Sequence, residues 1–373
     1  MWIKFDGMNN LTETPFSAPI IGVEQIALLE RLSNACGVSG DEGEVRAIVA
    51  EQIRSLADEY RIDALGNVLA RRFARSDAAG GGRPLKVLVA AHMDEVGFML
   101  VEGDESQYRF EPVGGIDLRQ LPGRPVLVGK EHTPGVIGAR PIHLTNAEER
   151  KSTITLETLR IDLGLGGGKV KVGDRATFAT RFHQMGASLA GKALDNRLGV
   201  AALIELFKHA PANIELIAAF TTQEEVGARG ASVAAYACQP DIAFALDSTP
   251  AYDLPVWDSS ENAVYNTRLG YGPAIYVSDS STISDPRLVR HLAQTGDALA
   301  LPYQIRQPGG GGTDAGGMQR QRQGIASASL STPHRYSHTA VSLARLSDWQ
   351  GTLALLHQAL LRLPADLLTQ PFA

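Results

Sequence analysis

Three short apolar runs in the chain end in side chains that can hold a metal ion or move a proton. Leu85 to Ala91 is followed by His92-Met93-Asp94-Glu95, Ile214 to Phe220 by Thr221-Thr222-Gln223-Glu224-Glu225, and Ile242 to Leu246 by Asp247. Two further segments carry the same residue types. Asp195 stands in Gly191-Lys192-Ala193-Leu194-Asp195-Asn196-Arg197, and the Pro-containing stretch Ser331 to His338, read as a loop, brings His334 and His338. Each signal has a plain alternative. An acid or imidazole after a strand is usually a solvated loop residue, Asp195 could cap a helix, and Glu224 with Glu225 could be first-turn acids favoured by a helix dipole. Together they weigh more, because open α/β sheets bind ligands where the carboxyl ends of their parallel strands converge.

His92, Asp195, Glu225, Asp247 and His338 are the donor inventory of a centre for two divalent ions, Zn2+ or Co2+. Imidazole suits both metals, and a carboxylate can bridge two ions through its two oxygens. Such paired ions clamp a water or hydroxide and polarise a substrate carbonyl. Glu224 is then free to serve as general base, taking the proton from that water and delivering it to the leaving amine. Asp94, two residues past His92, is placed to orient the imidazole. Competing motifs fail. There is no HExxH, Gly164 to Lys169 lacks the Ser/Thr of a phosphate loop, and Gly186-Ala187-Ser188-Leu189-Ala190 misses the second glycine of a nucleophile elbow.

Positioning these residues requires buried strands alternating with helices. The three apolar runs suit strands covered on both faces of a mostly parallel sheet. Val45, Ile48, Val49, Ile53 and Leu56 predict a helix over 42–60, with Ser39 and Glu42 as its capping box. A helix is expected to begin at Asp195, and another over 347–363. Between about 97 and 178 the texture changes to short β-rich pieces separated by Gly, Pro and charged turns, as in a small barrel or sandwich. The simplest architecture is one α/β sandwich over 20–96 and 179–373, interrupted by a β-rich insertion at 97–178.

Composition sets the outer limits. The 373 residues carry 35 Lys and Arg against 41 Asp and Glu, a net charge of −6, which disfavours a nucleic-acid partner. No run reaches the ~20 apolar residues of a membrane span. The two cysteines form no metal pair or disulfide framework and the first ten residues do not resemble a secretory signal, so a cytoplasmic setting is expected. Glycine is in excess, 38 residues or about 10% against a usual ~7%. The cluster Gly309 to Gly317 reads either as a flexible loop or as backbone approaching a substrate.

The runs His92-Met93-Asp94-Glu95-Val96-Gly97-Phe98, Lys192-Ala193-Leu194-Asp195-Asn196-Arg197, Glu224-Glu225-Val226-Gly227, Gly312-Thr313-Asp314-Ala315 and Arg335-Tyr336-Ser337-His338 occur in this order. Together they resemble the glutamyl/deblocking aminopeptidases that form tetrahedral particles, a family of dinuclear metallopeptidases, over roughly residues 25 to 360. The resemblance implies a three-layer α/β/α sandwich with a mixed central sheet and an inserted small β-barrel. It implies that His92, Asp195 and Asp247 hold one ion and Asp195, Glu225 and His338 the other, with Glu224 as base and Asp94 as orienting acid. His334 lies where the family places no ligand. The insertion is implied to serve dimerisation, with homo-oligomers from dimer to dodecamer. The expected function is hydrolysis of N-terminal residues from peptides. The alternatives are a deacylase, dipeptidase or carboxypeptidase using the same two-metal site, or a catalytically silent assembly or peptide-binding protein.

Overall fold

A computed structural model describes residues 17–77, 82–104, 106–166, 168–255, 267–306 and 309–372. The first ten residues, read above for a secretory signal, lie outside them. Two helices come first, α1 (Val23–Asn34) and α2 (Gly43–Ile53); α2 buries Val45, Val49 and Ile53 along one face. The helix expected over 42–60 therefore stops early. After a single 3-10 turn the backbone groups of β1 (Glu59–Ile62) pair antiparallel with β2 (Val68–Arg72), across the turn at Gly66. The expected capping box is also absent, because Ser39 and Glu42 direct their side chains to other partners.

From β3 (Lys86–His92) the chain leaves the sheet for a closed barrel. Its strands are β4 (Gly97–Gly103), β5 (Gln107–Val113), β6 (Pro125–Val128), β7 (Thr133–Ala139), β8 (Leu159–Asp162) and β9 (Arg175–Phe178), closing in the order β4-β5-β8-β7-β6-β9. Alternation positions the side chains: Tyr108 and Phe110 of β5 point inward while Gln107, Arg109 and Glu111 face out. Phe98 stacks edge-on against both Phe110 and Phe178, with ring centroids 5.1 and 5.3 Å apart. Helical structure in this stretch is limited to single 3-10 turns among the described residues.

The chain returns through β10 (His183–Met185) and β11 (Ser188–Gly191) to α3 (Leu194–Lys208), β12 (Glu215–Thr221), α4 (Arg229–Cys238) and β13 (Ile242–Pro250). There follow β14 (Ala274–Tyr276), α5 (Pro286–Leu299), β15 (Gln304–Arg306), α6 (Asp314–Gln319), β16 (Ala326–Arg335), β17 (Ser342–Arg345) and α7 (Leu346–Leu361). Strands β12, β3, β13 and β16 lie side by side and parallel. Antiparallel β2 and β1 flank them on one side and β17, β11 and β10 on the other, so the sheet is mixed. Val87 and Val89 of β3 pack with α1, α2, α3, α5 and α7, whereas Leu88 and Ala90 pack with Ala231, Ala234, Ala315 and Met318 of α4 and α6. Helices therefore cover both faces. This is the three-layer sandwich with an inserted barrel that the resemblance implies.

Candidate active site

Sheet register brings the first residues together. His92 pairs with Thr221 at the ends of β3 and β12, and Ala245 of β13 pairs with Ala90 of β3. Asp247 thus stands two residues past that pair, beside His92, and the two side chains lie 3.5 Å apart (Nε2 to Oδ1). The sequence reading ends the third run at Asp247. The structure carries β13 on to Pro250, because pairing with β16 continues past the apolar residues.

Asp195 is not the cap of α3. Asn196 takes that part: its Oδ1 accepts the N–H of Gly199 at 3.0 Å and its Nδ2 donates to the carbonyl of Leu246 at 2.9 Å. Asp195 itself has non-helical backbone angles, which leaves its carboxylate to the cleft. Gly199 permits this junction, since a Cβ there would sit 2.6 Å from the Leu246 carbonyl oxygen. Asp195 Oδ1 lies 3.3 Å from His92 Nε2, and its Oδ2 lies 3.6 Å from His338 Nε2. His338 Nε2 is in turn 3.2 Å from Glu225 Oε2. Donor atoms of His92, Asp195 and Asp247 all fall within 4.8 Å of one another, and so do those of Asp195, Glu225 and His338. The two groups share Asp195.

Glu224 and Glu225 are not first-turn acids. They sit in a turn that precedes α4, entered through Thr222, whose N–H donates to Asn67 Oδ1 at 2.9 Å. Asp94 clamps that turn: Oδ1 accepts Glu224 N–H at 3.0 Å and Oδ2 accepts Glu225 N–H at 3.1 Å. Ser39 Oγ donates to Asp94 Oδ2 at 2.6 Å, and His92 Nδ1 lies 3.4 Å from Asp94 Oδ1. Glu42 accepts the N–H of Gln223 from the other side at 3.2 Å. His338 sits on a turn after β16 and its Nδ1 is 2.8 Å from the carbonyl of Gly115, at the barrel's edge. His334 is not in a loop; it is a fully buried residue of β16, outside both donor groups.

The electrostatics are those of crowded, buried acids. Burial, reinforced by neighbouring carboxylates, pushes Glu224 and Glu225 well above the usual carboxylate range, although the charge of His92 partly opposes this. Burial would lower His92, yet Asp195, Asp247 and Asp94 outweigh it and hold the imidazole well above its ordinary value. Burial raises Asp314 to about 7, against the opposing effects of His92 and of the hydroxyl of Thr221, whose Oγ1 donates to Asp314 Oδ2 at 2.5 Å. Burial likewise raises Asp247, whereas for Asp195 burial is outweighed by His92, which holds its carboxyl below the usual carboxylate range.

The cleft above these residues encloses about 640 Å³ and is lined also by Gly310, Gly311, Gly312, Tyr276 and Arg306. The glycine cluster divides. Residues 310–312 and, from α6, Gly317 border the cleft, whereas Gly316 of the same helix does not. A Cβ at Gly316 would come within 2.3 Å of Ser281 Oγ, so this glycine serves close packing.

Beneath the site Glu95 ties the turn after β3 to α3. Its carboxylate accepts from Lys192 Nζ at 2.7 Å, Thr177 Oγ1 at 2.8 Å, the Gly37 amide at 3.0 Å and Arg197 Nη2 at 3.2 Å, all buried. Removing Glu95 strands two buried cations. Glu95→Ala should cost about 3–5 kcal/mol of stability, read as a lower urea midpoint; an unchanged midpoint would show the cluster to be dispensable. Sequence reasoning missed Ser39, Glu42, Asn67, Thr221 and Asp314. Only Asp314 stands in one of the ordered motifs.

The sequence profile of the M42 glutamyl aminopeptidase family matches residues 73–355. The lysyl aminopeptidase of Pyrococcus furiosus is 32% identical, over 88% of this chain and 94% of its own. The TET aminopeptidase of the marine sediment archaeon Thaumarchaeota archaeon SCGC AB-539-E09 has a TM-score of 0.86 at 31% identity, covering 93% of this chain and 98% of the other. The TET1 peptidase of Pyrococcus horikoshii, described as assembling into a tetrahedron or a large octahedral shell, gives 0.76 at 33% identity, with 90% and 98% covered. The chain belongs to the M42 glutamyl aminopeptidase family and is a hydrolase of peptide bonds.

Proposed function

We propose that this aminopeptidase works with two divalent ions, Zn2+ or Co2+, held by the two donor groups that share Asp195. The observation that carries the reading is that Asp195 turns one oxygen to His92 and the other to His338. His92, Asp195 and Asp247 would hold one ion, and Asp195, Glu225 and His338 the other. When bound, such ions supply Lewis-acid polarisation of the scissile carbonyl and acidify water.

The chain's own residues do the rest. Glu224 lines the cleft beside both groups and lies outside each, so its carboxylate is available to accept a proton from the attacking water and return it to the leaving amine. Asp94 acts through others: it fixes the His92 ring and, by accepting two successive N–H groups, the turn that presents Glu224 and Glu225. Residues 97–178 form the proposed dimerisation module of a homo-oligomer, beside a catalytic part at 20–96 and 179–373. Ile142, Leu144 and Leu165 leave large apolar surface exposed on that module, which supports self-association.

A panel of aminoacyl-arylamides and their N-acetylated counterparts tests the substrate class. Turnover is expected for peptides and arylamides with a free N-terminal amine and not for the blocked series. Cleavage of the acetylated compounds at comparable rates would instead identify a deacylase.

A further inference from the structure

A second cluster of metal-binding side chains lies where the inserted barrel meets the α/β sandwich. Cys36 follows α1, Glu44 stands in the first turn of α2, and His132 sits in the turn between β6 and β7. One donor atom of each falls within 4.8 Å of the other two. Glu44 is held from both sides: its Oε2 accepts the Cys36 N–H at 3.0 Å and its Oε1 lies 2.6 Å from His132 Nε2. All three residues are partly buried. A recess of about 10 Å³ beside Cys36 and Glu44, the room needed by one water or ion, is lined also by Asp41, Gly129, Lys130 and Arg175 but not by His132.

We propose that Cys36, Glu44 and His132 form a third divalent-metal site, suited to Zn2+, that ties the β6–β7 turn of the barrel to the N-terminal helices. Thiolate, imidazole and carboxylate are the three donor types zinc takes, and a thiolate disfavours the hard cations Mg2+ and Ca2+. Zinc bonds of about 2.0–2.3 Å place tetrahedral donors roughly 3–4 Å apart, which side-chain rotation reaches from the arrangement present. Thiolate and carboxylate together neutralise the ion, and the fourth position is left to water. Burial, offset in part by Lys192, lifts the Cys36 thiol to about 11. The thiol therefore keeps its proton at neutral pH until an ion displaces it, and uptake releases that proton. An ion pair between Glu44 and His132 accounts for those two residues but leaves the adjacent thiol without a part.

The cleft donors are nitrogen and oxygen only, so sulfur ligation has its own signature. The full-length enzyme equilibrated with excess Co2+ should show near-ultraviolet thiolate-to-Co2+ charge-transfer absorption. That band should persist in Cys238→Ser, vanish in Cys36→Ser and weaken in His132→Gln, a change on a partly exposed turn that leaves the fold intact. Metal analysis should find one ion fewer per chain in Cys36→Ser, with arylamide turnover unchanged. Absence of the band in the unaltered enzyme at saturating Co2+, or its survival in Cys36→Ser, would overturn the site. Neither result bears on the two-metal reading of the cleft.

Discussion

Glu224→Gln should lower kcat by roughly 10²- to 10⁴-fold, the usual worth of a positioned general base, with both cleft ions still bound. The amide keeps the shape and packing of the acid, and Glu224 belongs to neither donor group, so metal content has no reason to change. What is lost is a proton acceptor. The turn that presents the residue is held through backbone N–H groups by Asp94 and Glu42, and these contacts survive the substitution. KM for an arylamide should therefore stay near its original value while kcat falls. Near-normal turnover in a fully metallated variant would remove Glu224 from the role of base and leave the donor groups untouched.

Asp195→Ala should release both ions together. Each donor group keeps only two residues once Asp195 is gone, and the four left behind include two buried carboxylates whose charge the ions would balance. Asp247→Ala and His338→Ala each weaken one group and should each cost one ion. Metal analysis of the three proteins separates the outcomes. Both cleft ions retained in Asp195→Ala would contradict the shared carboxylate, and loss of only one of them would assign Asp195 to one group alone. Folding is not expected to confuse the comparison, because the cap of α3 is supplied by Asn196.

Much of the fold was legible before any coordinates. The buried strands announced themselves as short apolar runs, and the barrel strands as alternating pieces between turns. Errors fell where local pattern and tertiary pairing compete. The helix over 42–60 was overextended because nothing in Leu56 to Tyr60 tells a helix from an edge strand until β2 is alongside. Asp195 read equally well as a cap or as a ligand until Asn196 was seen to do the capping. His334 and His338 read as one loop; pairing of β16 with β13 and β17 separates them, burying the first and releasing the second to the cleft.

The sequence by itself determined the chemistry that could be assembled here: which strand ends carry imidazole or carboxylate, in what order, and that a β-rich segment interrupts the α/β pattern. Residue type and two- or four-residue periodicity are local properties, and a chain displays them without folding. Only the tertiary structure decided that one carboxylate faces both histidines. It likewise gave Ser39, read as half of a helix cap, to Asp94, and set Cys36, Glu44 and His132 side by side across 97 residues of chain. Those contacts depend on sheet register and on the barrel closing against the sandwich. A register shift of one residue in β3 or β13 would turn His92 or Asp247 to the opposite face of the sheet.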